Sequence, residues 1–168
     1  MAIDVQERVS SRAEKLAGKY LTFTIQKESY GIDVLQVRGI IQLTEITPVP
    51  RMPDYVRGVI NLRGKIIPVI DLRVRFGFAD VKNTELTVII VVQVQMTEGK
   101  QTQMGLIVDG VEEVTNIPAT DIEEAPDFGA RAGMDYILGM AKVKGAVKAL
   151  LDIAGVLGAD SGKLQRGF

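Results

Sequence analysis

An internal repeat of turn residues constrains the fold more than any other feature of the sequence. When the chain is displaced by 81 positions, as from Gly58 to Gly139, residues of one half meet the same types in the other. The matched residues are Asp54-Tyr55, Gly58, Gly64, Asp71 and Gly77, which fall on Asp135-Tyr136, Gly139, Gly145, Asp152 and Gly158. Upstream, at a displacement of 74, Gly31-Ile32-x-Val34-x-x-Val37-x-x-Ile40 matches Gly105-Leu106-x-Val108-x-x-Val111-x-x-Val114. Glycines that recur at turn spacings predict one backbone built twice.

The repeat predicts two similar β lobes, at about 20–77 and 86–158. Short strands closed by tight turns are typical of small barrels, which leave few edges exposed. Lobes of ~60–70 residues are marginally stable alone, so we expect them to share a core along one side. The groove between such lobes is a natural binding site. The segments 1–17 and 159–168 are expected to be tails, and the first has a composition that suits a helix.

The stretch from Gly58 to Asp71 predicts a β-hairpin. Its two apolar runs flank a polar tip that holds Arg63 in solvent, and Gly64 can take positive φ at no steric cost. Pro68 has no N–H to give a neighbouring strand, so its strand is expected at a sheet edge or next to a bulge. The tip reads Asn61-Leu62-Arg63 where the second copy has Lys142-Val143-Lys144. Since a guanidinium suits carboxylates and carbonyl oxygens of a partner, the first tip is the candidate interaction site.

Further β-forming runs predict the remaining strands. They are Tyr20–Ile25, Tyr30–Val34, Val37–Ile41, Leu86–Val94, Gln103–Asp109 and a strand–turn–strand unit over Tyr136–Leu151. The segment from Ile117 to Phe128 contains two prolines and several acids, so it is predicted to be a loop with at most one helical turn. Short helices are expected after Asp71 and before Gly158.

The residue types present exclude several classes of protein. The 168 residues include no Cys and no His, which removes disulfides, thiol nucleophiles, His-assisted serine chemistry and most zinc sites. Twenty basic and 21 acidic residues nearly balance, unlike the basic face of a nucleic-acid-binding protein. No run reaches the ~18 apolar residues that span a bilayer. We therefore expect a cytoplasmic protein that is not an enzyme, needs no cofactor or metal, and does not insert directly into a membrane.

A residue that recurs at the same position in both copies of the repeat is more simply explained by a structural role than by a functional one. Asp71 and Asp152 both stand where a helix begins, which favours capping over catalysis. Tyr55 and Tyr136 are similarly interpreted as half-buried anchors. Asp109 precedes Gly110 in a turn pair. A small hydrolase with a cleft between the lobes remains an alternative, and it would need two carboxylates that converge there with separated pKa values.

The quoted motifs resemble those of the bacterial chemotaxis coupling protein family, CheW. The resemblance extends over about 18–158 and is specific in four motifs taken together, in order and spacing. They are Tyr30-Gly31-Ile32-Asp33, Gly58-x-x-Asn61-Leu62-Arg63-Gly64, Pro68-x-x-Asp71-Leu72 and Val108-Asp109-Gly110-Val111. It implies a mainly β protein made of two pseudo-repeated, SH3-like five-stranded barrels around a shared hydrophobic core, with short helices.

The resemblance also implies partners and a binding face. Such adaptors couple the cytoplasmic tips of methyl-accepting chemoreceptors to the CheW-like regulatory domain of the histidine kinase CheA, in arrays at the membrane. Carried over by motif, the residues expected to face the receptor are Val37, Gly39, Gly58, Asn61, Arg63, Val88, Gly105, Val111 and Val114. Gly39 departs from the family, which commonly has an acid there. No residue can be assigned to the kinase-binding face.

The same module occurs within CheA and in adaptor–receiver fusions, but no receiver or kinase segment follows the module here, so a stand-alone adaptor is expected. A CheW-like module of another chemosensory pathway is a further alternative.

Overall fold

The computed structural model describes residues 11–95, 99–124 and 136–157, which form eleven strands, three short α-helices and two 3-10 turns. In chain order the elements are α1 (Ser11–Leu16), β1 (Gly18–Ile25), β2 (Glu28–Asp33), a 3-10 turn (Val34–Gln36), β3 (Val37–Gln42), β4 (Val56–Leu62), β5 (Lys65–Asp71), α2 (Leu72–Arg75), β6 (Val88–Gln95), β7 (Gln101–Val108), β8 (Gly110–Ile117), a 3-10 turn (Ala119–Asp121), β9 (Ile122–Glu124), β10 (Ile137–Val143), β11 (Ala146–Leu151) and α3 (Ile153–Leu157). The predicted turn at 97–100 and the helix end at Gly158 lie partly or wholly outside the described residues.

The strands form two sheets that repeat the same pattern. Sheet A has the order β8-β1-β2-β11-β10-β9, and sheet B has the order β3-β6-β7-β5-β4. Each begins with an edge strand, continues through an antiparallel pair and a parallel contact, and finishes with a hairpin. The two predicted SH3-like lobes are confirmed, and β9 adds a sixth strand to sheet A.

Each sheet takes strands from both copies of the repeat. In sheet B, the first-copy strands β3, β4 and β5 pair with β6 and β7 of the second copy, and sheet A shows the reverse exchange. The predicted boundaries, 20–77 and 86–158, therefore do not coincide with the two sheets. Local periodicity identifies strands, but the choice of partner strand depends on long-range burial, which local patterns do not reveal.

The described residues form three apolar clusters, one inside each sheet and one between them. The central cluster joins Phe23, Ile32 and Leu151 of sheet A to Ile90 and Leu106 of sheet B. All five side chains are essentially inaccessible to solvent, so the shared core that the repeat predicts is present.

Arg75 connects the two copies where they meet. Its Nε donates to the carbonyl oxygen of Val156 at 2.9 Å, and its guanidinium lies 5.2 Å from the ring centre of Tyr55 and 6.0 Å from that of Tyr136. Arg75 and Val156 stand 81 positions apart, as do the two tyrosines. Half-buried and packed on the central cluster, Tyr55 and Tyr136 are the anchors that the sequence predicts.

The predicted hairpin forms as β4 and β5, with Arg63 and Gly64 at its turn. Their φ angles, +53° and +82°, are those of a turn with two left-handed residues. The Asp71 side chain accepts a hydrogen bond from the N–H of Arg73, so the predicted N-cap is confirmed. Of the two alternatives for Pro68, the sheet edge is wrong, because β5 lies between β4 and β7, whereas the nearby bulge is confirmed by the register shift of β4 between Val56 and Gly58. The contact with β7 covers only Val69–Asp71, which leaves Pro68 just outside it.

Other boundaries differ from those predicted. Leu86 is 72% exposed and precedes β6, which begins at Val88. Val34 starts a 3-10 turn, and the segment predicted as a loop contains β9, a strand too short to give a periodic signal. The first tail contains α1, whose Ala13 is buried against the interior of sheet A.

Gly58 is expected to be indispensable for this fold. A Cβ there would lie 2.0 Å from the backbone oxygen of Thr47, and its φ of +140° is unfavourable for other residues. We predict that Gly58→Ala lowers the free energy of unfolding by about 2–4 kcal/mol, measured by urea denaturation. Gly39→Ala is the matched control, because nothing lies within 4 Å of a Cβ at position 39. Equal losses in the two variants would contradict the packing explanation.

Candidate functional site

The nine residues expected at the receptor face fall on two sheet regions. Seven lie on sheet B: Val37 and Gly39 on β3, Gly58 and Asn61 on β4, Arg63 at the β4–β5 turn, Val88 on β6 and Gly105 on β7. The other two, Val111 and Val114, lie on β8, the edge strand of sheet A.

The same residues differ in exposure. Asn61, Arg63 and Val114 are exposed, and Gly39 is half-buried beside open space. Val37, Val88 and Val111 are half-buried and pack against the central cluster, so each presents part of an apolar side chain at the boundary between the sheets.

Gly58 and Gly105 are buried and serve packing. A Cβ at Gly105 would lie 2.7 Å from Cγ2 of Ile89, and one at Gly58 would meet the 47–48 backbone. A substitution at either glycine would therefore affect the binding of a partner only indirectly, by altering the packing of the sheet.

Asn61 and Arg63 have different roles at the hairpin tip. The Oδ1 atom of Asn61 accepts a hydrogen bond from the N–H of Gly64 at 2.8 Å, which holds the turn closed. The exposed Arg63 side chain makes no hydrogen bond or ion pair within the part of the chain that the structure describes. Asn61 is thus a positioning residue, and Arg63 presents five donors to a partner.

The buried network centred on Arg73 was not among the predicted features. This side chain is 2% exposed, and its Nε and Nη2 donate to the two carboxylate oxygens of Asp71, both at 2.9 Å. Its Nη1 donates to Asp109 at 3.1 Å and to the carbonyl oxygen of Lys82 at 3.2 Å, and its Nη2 also reaches Asn83. The second copy has Ala154 at the equivalent position, so the repeat carried no signal for it.

The Arg73 network links the two sheets below the hairpin. Asp71 ends β5, whereas Asp109 lies between β7 and β8 and its Oδ2 accepts from the N–H of Gln26 at the β1–β2 turn. Burial lowers the pKa of Arg73, but the hydrogen bonds and charges of Asp71 and Asp109 outweigh burial and raise the pKa above its usual value. Arg73 is therefore a permanent cation that fixes both carboxylates.

The described residues offer no basis for the hydrolase alternative. The two carboxylates that converge, Asp71 and Asp109, are both held by the same cation, Arg73. A catalytic pair of carboxyl groups instead needs two environments that push their pKa values apart. The pKa values of Tyr20, Tyr30 and Tyr136 are raised, mainly by burial. These phenols are therefore protonated at neutral pH. Within the ranges 11–95, 99–124 and 136–157, no three acidic side chains are grouped to hold a metal ion.

Removal of the buried cation should be costly. Arg73→Met leaves the Asp71 carboxylate, whose side chain is 1% exposed, without its main partner. We predict a loss of about 3–5 kcal/mol in the free energy of unfolding, by chemical denaturation. Arg57 also contacts Asp71, at 3.3 Å, but its side chain is 42% exposed, so Arg57→Gln should cost less than about 1 kcal/mol. A loss below about 1 kcal/mol for Arg73→Met would contradict the anchoring role.

Comparisons with known proteins agree with this architecture. The family model described as "CheW-like domain" matches residues 19–161. The chain is 37% identical to the chemotaxis protein CheW of Klebsiella aerogenes over 151 residues, which is 87% of this chain and 88% of that protein. It is 33% identical to CheW of Bacillus subtilis, over 88% of this chain and 91% of the relative.

A solved structure shows the same fold. The crystal structure of a scaffolding protein, CheW from Thermoanaerobacter tengcongensis, superposes with a TM-score of 0.74 at 32% identity, over 86% of this chain and 94% of that one. No helix among the described residues is long and apolar enough to cross a membrane. The strand-exchanged double barrel, the family match over most of the chain and the identities to several relatives agree: the chain belongs to the CheW-like family and is a chemotaxis adaptor protein.

Proposed function

We propose that this protein couples methyl-accepting chemoreceptors to the histidine kinase CheA without catalysing a reaction. It binds the cytoplasmic tips of the receptors through the face around Arg63, and it binds the CheW-like regulatory domain of CheA through another face. The protein works in the cytoplasm, associated with receptor arrays at the membrane. The family relationship supports this proposal, and so does the pairing of the two converging carboxylates, Asp71 and Asp109, with Arg73.

The main support for a receptor-binding face at the hairpin tip is the unpaired positive charge of Arg63. Arg63 is exposed, and within the described residues no acidic side chain neutralises it. Its hairpin is fixed at one end by Asn61 and at the other by Asp71 of the Arg73 network. A donor group held on a rigid element costs less side-chain entropy when a partner binds.

Half-buried valines give this face its apolar part. Val37, Val88 and Val111 border the central cluster that joins the sheets, and an amphipathic receptor helix could cover them in the groove-binding manner. The interaction would then combine apolar contact with charge recognition at Arg63.

Coupling requires a different affinity for different receptor states. Coupling free energies of about 1–3 kcal/mol are typical for such devices, and an array multiplies weak contacts through effective concentration. The adaptor needs two binding faces and a stiff connection between them. The central cluster and the Arg75 bridge supply that stiffness.

Charge reversal at the tip tests the receptor face. We predict that Arg63→Glu weakens binding of a receptor cytoplasmic fragment at least about 10-fold, since it replaces the donor with a repelling carboxylate. Binding to the CheA regulatory domain should stay within about two-fold. Calorimetry or a pull-down with each partner measures both.

Lys27→Glu is the matched control for this experiment, because Lys27 is an exposed turn residue with positive φ that lies outside the nine residues of the receptor face. The same change of charge at this β1–β2 turn should leave receptor binding nearly unchanged. If Arg63→Glu weakened both partners equally, the tip would be structural or shared. If the wild type bound neither partner, the coupling function itself would be refuted.

A further inference from the structure

The second copy of the repeat contains an ion pair that the first copy lacks. Lys144, at the turn of the β10–β11 hairpin, donates to both carboxylate oxygens of Glu113 on β8, at 3.0 and 3.2 Å. This contact closes the hairpin of sheet A onto the edge strand of the same sheet. The basic side chain of that tip is thus already neutralised within the molecule.

The residues at the equivalent positions of the first copy are Arg63 and Gly39. Position 144 corresponds to 63 at the displacement of 81, and position 113 corresponds to 39 at the displacement of 74. The cation is conserved between the copies, whereas its acidic partner is replaced by glycine.

The backbone around these positions is the same in both copies. Arg63 and Lys144 have φ angles of +53° and +51°, and the glycines that follow them both have +82°. The edge strands β3 and β8 each carry a register shift at the residue before position 39 or 113. Next along each strand, the equivalent residues Ile40 and Val114 are 45% and 54% exposed. The geometry that brings Lys144 to Glu113 is therefore repeated for Arg63 and Gly39.

Space is open where the missing carboxylate would lie. A Cβ at Gly39 would have no atom within 4 Å, and its φ lies outside the left-handed range, so a side chain fits there without strain. Within the described residues Arg63 has no ionic partner.

We propose that Arg63 and the open space above Gly39 form a binding site for an Asp or Glu side chain of the partner protein. The partner's carboxylate takes the place that Glu113 occupies in the second copy, and the guanidinium binds it with a bidentate hydrogen-bonded pair. This inference rests on the proposed receptor face and adds its chemistry: the receptor segment that docks there carries an acid, and Gly39 keeps the site vacant for it.

An internal carboxylate should compete with the partner for this site. We expect Gly39→Glu to weaken binding of the receptor cytoplasmic fragment by about 5- to 10-fold, because the introduced group pairs with Arg63 and repels the incoming acid. Gly39→Gln is the control with nearly the same shape and no charge, and it should change affinity less than about two-fold. Wild-type affinity should also fall as salt rises, whereas that of Gly39→Glu should fall less.

A second measurement checks the geometry without any partner. In ¹H–¹⁵N spectra of the free protein, the Nε resonance of Arg63 should shift in Gly39→Glu and not in Gly39→Gln. An unchanged resonance in both variants would overturn the proposal, because position 39 would then be out of reach of Arg63.

The outcomes separate this inference from the proposed function. If Arg63→Glu weakens receptor binding but Gly39→Glu and Gly39→Gln bind equally, the receptor face stands and the carboxylate site is refuted. If Gly39→Glu binds more tightly than wild type, the partner presents no acid there. If the wild-type chain does not bind the receptor fragment, the function on which the site depends is wrong.

Discussion

The exchange of strands between the two copies is the constraint on which the rest of the structure depends. Sheet B cannot form without β6 and β7 of the second copy, and sheet A cannot form without β1 and β2 of the first. Neither copy therefore closes a barrel alone, and the central cluster between the sheets is built from both. A chain of this kind is expected to fold as one cooperative unit, so displacement of one sheet is felt by the other.

Two arginines, the buried Arg73 and the half-buried Arg75, stabilise the exchanged arrangement at different places. Arg75 reaches the carbonyl oxygen of Val156 and lies over both repeated tyrosines, where the copies meet. Arg73 joins the end of the β4–β5 hairpin to Asp109, and through Asp109 to the β1–β2 turn. The hairpin that presents Arg63 is thus fixed to both sheets, which suits a protein whose function is to hold partners in a set geometry. Without these contacts the tip would be a flexible charge on the surface.

Turns, caps and strands that depend on a few neighbouring residues could be predicted from the sequence. Contacts between residues far apart in the chain could not. The glycines and Asp71 gave the hairpin turn and the helix cap, because positive φ and capping are properties of a few neighbouring residues. The strand exchange was missed, since a β-forming run carries no record of its neighbour in the sheet. Arg73 was missed for a related reason: in the sequence it is one of several arginines, and only the fold brings Asp109 to it. For the candidate site, the repeat pointed to the asymmetric tip, which stays a prediction, and it could not show that Gly58 and Gly105 are buried or that Lys144 is already paired.

The central claim is that one rigid molecule binds two partners through separate faces. Sedimentation velocity on a mixture of this protein, a receptor cytoplasmic fragment and the CheA regulatory domain tests it most directly. We predict a ternary complex whose mass equals the sum of the three components, because the receptor fragment and the kinase domain bind at the same time. Mutual exclusion, with the receptor fragment displacing the kinase domain, would mean that both partners use one face and would contradict the claim.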